Sequence, residues 1–183
     1  AARAVEELLR ALGADVDGDP ELAGTPERVA EAWSEDLLAG YREDPAVILA
    51  DATASSAPGL VVVTGIAVTT VCPHHLLPAT GIAHVDYVPG DRVVGLGAIA
   101  KLVDCASRRL VLQEDLGRSI ARALIVHLGA RGAGAMLDLS PTCLTSRGER
   151  RHGARAITLA LEGTFGGQDK DVFLSALRGQ DAL

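Results

Sequence analysis

Residues 82–110 read IAHVDYVPGDRVVGLGAIAKLVDCASRRL, and the change of hydrophobic period within this stretch decides the fold. Ile82 to Val88 is rich in β-branched and aromatic residues and ends at Pro89-Gly90, which predicts a strand followed by a turn. Apolar residues then recur at the spacing of one helical face: Ile99, Leu102, Val103, Ala106 and Leu110. We therefore expect a strand, a turn and a helix here.

The flanking segments extend this pattern in both directions. Leu60 to Thr64 is a β-branched run and predicts an earlier strand. After Gln113-Glu114, a second helix is predicted from the spacing of Leu116, Ile120, Leu124 and Leu128. Two further strands are expected over Ala135 to Leu139 and Arg155 to Phe165. The order strand-strand-helix-helix-strand-strand indicates an α+β fold.

The sequence of the N-terminal part predicts helices and no strands. Ala1 to Leu12 places Val5, Leu8, Leu9 and Leu12 on one helical face. A later helix is expected to have Thr25 as its N-cap and Pro26 at its first position. We expect a helical N-terminal segment over residues 1–50 and a second domain over residues 51–183, which contains all the predicted strands.

Composition limits the class of protein. The chain has 183 residues, of which 48% are hydrophobic but only 3% aromatic, so an aliphatic core is expected. The net charge of −7 argues against nonspecific nucleic-acid binding. The sequence shows no signal peptide and no apolar run long enough to span a membrane. Three widely spaced cysteines do not indicate a disulfide framework, and a cytoplasmic location is expected.

Cys72, His75 and Cys143 have the side chains of a metal site. Zinc takes four ligands, and three protein ligands with one open position are typical of a catalytic site. His74, next to His75, could transfer protons. Spacing also permits another interpretation, in which distant cysteines are simply buried apolar residues.

The same residues carry a resemblance to a known family. CPHHLLP at 72–78, followed by GIAHVDYVP at 81–89, resembles the central signature of GTP cyclohydrolase I. Other similar segments follow in the family's order, namely 25–33, 92–96, 108–114, 143–148 and 165–174. The resemblance implies the tunnelling fold, an antiparallel sheet with two helices on one face. It also implies rings of subunits with joined sheets, two five-membered rings forming a homodecamer.

The activity that the resemblance implies is zinc-dependent hydrolysis of GTP. The imidazole ring opens at C8, formate leaves, and 7,8-dihydroneopterin triphosphate forms. The resemblance assigns Zn²⁺ to Cys72, His75 and Cys143, where the metal would lower the pKa of water. It assigns His74 to acid/base catalysis.

The resemblance also implies four substrate-binding residues. Glu114 matches the carboxylate that binds guanine, for which two adjacent donors on the base suit one charged acceptor. Gln113 matches a neighbouring position, while Arg147 and Lys101 match positions that contact the triphosphate. Taken without the resemblance, Glu114 is equally a solvated helix cap and Arg147 a surface charge.

Three positions depart from the family pattern. Pro141 replaces a histidine that transfers protons, Ala98 replaces a lysine, and Lys101 replaces an arginine. These departures leave alternatives open: an enzyme that stops at the formamidopyrimidine nucleotide, one that uses another purine nucleotide, or a noncatalytic purine-binding scaffold. A nitrile reductase of the same fold is a further rival, but no glycine-rich dinucleotide motif supports it. His84, His127 and Cys105 are expected to be structural.

Overall fold

The computed structural model describes residues 1–55, 59–148, 150–165 and 171–175. Its α-helices are α1 (Ala2–Ala11), α2 (Thr25–Glu31), α3 (Pro45–Ile48), α4 (Leu96–Ser107), α5 (Gln113–Ala123) and α6 (Thr142–Thr145). Its strands are β1 (Thr53–Ala54), β2 (Val61–Val71), β3 (Pro78–Val88), β4 (Arg92–Val93), β5 (Gly132–Pro141) and β6 (Ala156–Gly163). The chain divides into two compact units, residues 1–39 and residues 40–183.

The second unit is built on a four-stranded antiparallel sheet with the order β2-β3-β5-β6. Its two central strands are in register over their whole paired length, from Ala79 opposite Pro141 to Val88 opposite Gly132. The connection between β3 and β5 carries both long helices, α4 and α5. β1 and β4 form a separate two-stranded sheet.

One face of the sheet holds the hydrophobic core. Alternate residues of β5 point to that face and are fully buried: Ala133, Ala135, Leu137 and Leu139. The same cluster contains Ile99 and Leu102 of α4 and Leu116 and Ile120 of α5. Both helices therefore cover the same face of the sheet, and the predicted α+β arrangement is confirmed.

The strands are longer than the sequence predicted. The run from Leu60 to Thr64 continues as β2 to Val71, past a register shift between Val63 and Ile66. Gly65 lies in this shift with a φ of +73°, which permits a bulge without strain. Gly65 interrupts the β-branched run, so the predicted strand ended at Thr64 although an interior glycine often marks a bulge.

The helices agree with the predicted spacing except at their ends. Leu110 lies beyond α4, and after α5 the segment Leu124–Leu128 forms a π-helical turn. In the first unit, Gly24 rather than Thr25 is the N-cap of α2, with a φ of +72°. Leu8 and Leu12 of the predicted apolar face are largely exposed. No helix of the described residues is both long and apolar enough to cross a membrane.

Candidate metal and nucleotide site

Three potential metal ligands meet at one end of the sheet. One ligand atom from each of Cys72, His75 and Cys143 lies within 4.8 Å of the others. The Cys72 Sγ atom is 3.9 Å from His75 Nδ1. Within the described residues, this is the one such group of three histidine, cysteine or carboxylate side chains.

The first two ligands lie in the tight connection from β2 to β3. The Cys72 amide donates to the Leu77 carbonyl, and the Leu76 amide donates to the Cys72 carbonyl, both at 2.9 Å. Leu76 adopts a left-handed backbone with a φ of +54°, unusual for a residue with a Cβ atom. This closed loop turns the His75 side chain back toward Cys72.

Strand pairing brings the third ligand to the same place. Pro141, at the end of β5, pairs with Ala79 near the start of β3. The Thr142 hydroxyl then donates to the Pro78 carbonyl, fixing the first turn of α6. Cys143 follows directly, so a residue some seventy positions away in sequence reaches the β2–β3 loop.

The electrostatics of this group favour a bound cation. Burial raises the pKa of the Cys143 thiol, the nearby Cys72 adds to this effect, and Arg147 partly opposes it. Without a cation, a second thiolate here is disfavoured because it repels the first. A divalent metal reverses this balance and stabilises both thiolates. Two sulfur donors and one imidazole are a set that suits zinc.

The two adjacent histidines have different positions. His74 and His75 are both exposed, and their rings meet edge to face with centroids 6.2 Å apart. His74 lies outside the three-ligand group. It therefore lies beside the three-ligand group and is accessible from solvent.

A second feature, a cleft of about 440 Å³, runs between α5 and β6. Its lining comprises Glu114, Arg118, Thr158, Leu159, Ala160, Leu161 and Glu162. Close packing behind it depends on Gly117, where an added Cβ would lie 3.3 Å from the Ala160 Cβ. The exposed Glu114 carboxylate has no hydrogen bond or ion pair within the described part of the chain.

Gln113 anchors the start of α5 to the sheet. Its side-chain amide nitrogen donates to the Leu137 carbonyl at 3.2 Å and to the Ala156 carbonyl at 2.7 Å. These two acceptors belong to neighbouring strands, β5 and β6. Both amide hydrogens of Gln113 are thus directed at the backbone, which fixes the position of Glu114 next to it.

The other predicted substrate-binding residues lie outside the cleft lining. Lys101 is exposed on α4, and Arg147 is exposed just after α6, near Cys143. Arg155, a further basic residue outside the cleft lining, forms an ion pair with Asp138, with an Nε–Oδ1 distance of 2.6 Å. Of the residues thought structural, His84 is 4% exposed and accepts from the Gly65 amide, and Cys105 is 1% exposed.

Sequence reasoning did not single out Arg118, Thr158 or Glu162 as lining residues. Arg118 was accessible to such reasoning, because it follows Glu114 by four residues and so shares its helical face. Thr158 and Glu162 were not, since their place in the cleft depends on how β6 packs against α5.

The comparisons of this sequence with a family model and with known proteins agree on one family. A family model described as GTP cyclohydrolase I matches residues 1–178. A GTP cyclohydrolase 1 of Ralstonia nicotianae is 39% identical over 96% of this chain and 85% of its own length. One of Chromobacterium violaceum is 42% identical over 89% of this chain and 79% of its own.

A solved structure of an archaeosine synthase QueF-like protein, in its apo form, overlaps 61% of this chain and all of its own. The TM-score is 0.49 at 18% sequence identity. That overlap is too weak to bear on function.

Proposed function

We propose that this chain, which belongs to the GTP cyclohydrolase I family, is a zinc-dependent hydrolase that opens the imidazole ring of GTP at C8. It is an enzyme of that family, as relatives about 40% identical carry the name GTP cyclohydrolase 1. Formate and 7,8-dihydroneopterin triphosphate are the proposed products. The observation that carries the proposal is the convergence of Cys72, His75 and Cys143 within 4.8 Å.

The three side chains fit a catalytic metal better than a structural one. They supply three donors, and no fourth protein donor joins them among the described residues. A structural zinc site normally has four protein ligands, whereas a catalytic one has three. When bound, zinc would supply Lewis acidity and an activated water for attack at C8.

His74 is the proposed proton carrier at this site. Hydrolysis at C8 places charge on the adjacent ring nitrogen, so a proton must be delivered there as the bond breaks. His74 is exposed and lies next in sequence to a ligand, and its ring is not part of the ligand group. An imidazole can both give and take a proton near neutral pH.

Glu114 is the proposed acceptor for the guanine base. Guanine presents N1–H and its exocyclic amine side by side, and one carboxylate can accept from both. Gln113, through its two backbone hydrogen bonds, supports the position of Glu114. Arg147 and Lys101 are proposed to contact the triphosphate from outside the cleft lining, as their exposed charges allow.

Pro141 favours a second candidate function. Proline has no side-chain group that can transfer a proton, and here it ends β5 opposite Ala79. If no other group replaces the family's histidine, the reaction stops once the ring has opened, at the formamidopyrimidine nucleotide. Formate release therefore separates the two candidates.

A homodecamer is the proposed assembly. Within the described residues, β2 and β6 each pair with a single strand of the sheet, so each has an outer edge available. On β6, Ile157 is 65% exposed and Leu159 is 42% exposed. Pairing of β6 with β2 of another copy would cover the unpaired backbone groups along both edges.

The test is to incubate the zinc-loaded protein with GTP, identify products by mass and absorbance, and assay formate separately. Dihydroneopterin triphosphate with formate supports the full reaction. A product heavier than GTP by one water, with no formate, supports the second candidate. Unchanged GTP in the presence of stoichiometric zinc contradicts both.

A matched pair of cysteine variants controls this test. Cys143→Ala removes a proposed ligand and is expected to lose both zinc and turnover. Cys105→Ala changes a buried thiol in α4 that is not part of the ligand group, and it is expected to keep both. Native mass spectrometry of the same samples would show whether ten chains assemble.

A further inference from the structure

We propose that Arg118 is a specificity-determining residue that donates a hydrogen bond to O6 of the guanine base, beside the base contact of Glu114. This inference rests on the proposed function, because it assigns a second contact to the same substrate. The observation that carries it is that Arg118 and Glu114 line one cleft, from consecutive turns of α5.

The helix geometry places the guanidinium next to Glu114. Residues four apart lie about 6 Å along the axis on the same face. Long helical side chains point back toward the N-terminus, and Arg118 does so, because its Nη1 donates to Asp115 Oδ1 at 2.8 Å. Its side chain therefore extends over the first turn of α5, where Glu114 lies.

The ion pair with Asp115 leaves Arg118 available to a ligand. Arg118 and Asp115 are 59% and 53% exposed, and exposed pairs of this kind contribute little to stability. One nitrogen of the guanidinium makes this bond, while an arginine has five N–H donors in all.

The charges that line the cleft require a cation. Glu114 and Glu162 are both carboxylates, and an anionic nucleotide entering between them would be repelled. Among the described residues, Arg118 is the one basic side chain that lines the cleft. It offsets that repulsion and makes the cleft able to hold a nucleotide base next to a carboxylate.

The donors and acceptors of guanine match this pair of side chains. Along one edge the base presents the exocyclic amine, then N1–H, then the O6 acceptor. Glu114 accepts from the first two, and the neighbouring group must donate to O6. An arginine supplies such a donor, and hydrogen bonds to a charged group are stronger than neutral ones.

The short separation from Glu114 favours the base over the phosphates as the partner of Arg118. The triphosphate is attached through the ribose, on the side of the base remote from the edge that Glu114 binds. A side chain one helical turn from Glu114 thus lies at the base edge. Contact with phosphate is the alternative that the test must separate.

The test compares GTP with 6-thioguanosine triphosphate, using the zinc-loaded enzyme and kcat/KM for each nucleotide. The analogue keeps N1–H, the exocyclic amine and the triphosphate, but sulfur replaces O6 and is a weaker acceptor. Arg118→Met keeps the length of the side chain and removes its donors. Asp115→Asn is the matched control, since it loses the ion pair and leaves the guanidinium in place.

We expect Arg118→Met to lower kcat/KM for GTP by about 10- to 100-fold, as for loss of a hydrogen bond to a charged group. The kcat/KM for the analogue should fall much less, so the variant should lack the preference for GTP that the wild-type enzyme shows. Asp115→Asn should keep that preference. A structural role for Arg118 would lower both rates together and leave the ratio unchanged.

Two outcomes would overturn the inference. If Arg118→Met leaves kcat/KM unchanged for both nucleotides, the side chain contacts neither the base nor the phosphates. If it lowers both values equally, the preference for GTP is retained and the role of Arg118 is phosphate binding or structural. In both outcomes the wild-type enzyme still converts GTP. Failure of the proposed function is therefore distinct, because the wild type would then convert neither nucleotide, and the inference would be rejected with it.

Discussion

Replacing Gly81 by alanine should loosen the pairing of β3 with β5 and thereby separate the metal ligands. Gly81 pairs with Leu139 in the middle of the sheet. A Cβ added at Gly81 would lie 2.0 Å from the Asp138 carbonyl oxygen and 2.9 Å from the Leu139 Cα. Both are backbone atoms of β5, so no flexible side chain can move aside, and the strand itself must retreat by more than an ångström.

The magnitude follows from three contributions. Overpacking a well-packed region costs about 1–3 kcal/mol. Weakening one backbone hydrogen bond adds about 0.5–1.5 kcal/mol. Replacing a glycine within a strand by alanine stabilises the folded state by about 0.5–1 kcal/mol, which partly offsets these costs. We therefore expect Gly81→Ala to lower the free energy of unfolding by about 0.5–4 kcal/mol.

The assay is denaturant unfolding followed by circular dichroism, at one fixed chain concentration because assembly changes apparent stability. Gly97→Ala is the control for stability, since a Cβ there has open space and alanine favours the helix. Zinc content should also fall in Gly81→Ala, because Cys143 lies four residues beyond Leu139. A free energy of unfolding within about 0.5 kcal/mol of the wild type would refute the reasoning, because that is the smallest loss that the three contributions allow.

Three further predictions concern the site and the sheet. Cys143→Ala should bind zinc at least tenfold more weakly, whereas Cys105→Ala should not, as metal titration would show; equal affinities would remove Cys143 from the ligand set. Burial lowers the pKa of His84 below 6.5, with Asp138 partly opposing it. As the pH falls, this histidine is therefore protonated in the unfolded chain before it is protonated in the folded one. The free energy of unfolding thus decreases as the pH falls below 6.5, by up to about 1.4 kcal/mol per pH unit. A His84→Gln variant should show a shallower loss between pH 7 and pH 5, and an unchanged slope would exclude His84 as the cause. Gln113→Leu should lower the free energy of unfolding by about 1–3 kcal/mol, because two backbone carbonyls lose a donor. Calorimetry or denaturant unfolding at matched chain concentration measures this loss, and an unchanged stability would show that the two hydrogen bonds contribute nothing.

Local patterns were sufficient for the order and type of the elements. The apolar spacing from Ile99 to Leu110 predicted α4, and the alternation after Arg155 predicted β6. Periodicity depends on residues a few positions apart, so a linear sequence contains it completely. Boundaries were less accurate, as at Gly65, where a bulge lets β2 continue.

The residue types of the candidate metal site were also evident from the sequence. Cys72 and His75 are three residues apart, and a thiol and an imidazole are ligands for zinc wherever they occur. What spacing left open was whether Cys143 joins them or is buried elsewhere. The pairing of Pro141 with Ala79 decides this, because it carries the end of β5 to the β2–β3 loop.

Tertiary structure alone decided how the cleft is lined and what its residues are free to do. Gln113 lies between two predicted helices and precedes Glu114, yet its two bonds to β5 and β6 depend on how α5 packs. The lining of the cleft by Thr158 and Glu162 depends on the same packing. The sequence by itself therefore determined the chemical groups and the local elements. Strand register and helix packing determined which of these groups meet, because register and packing arise from contacts between residues far apart in the chain.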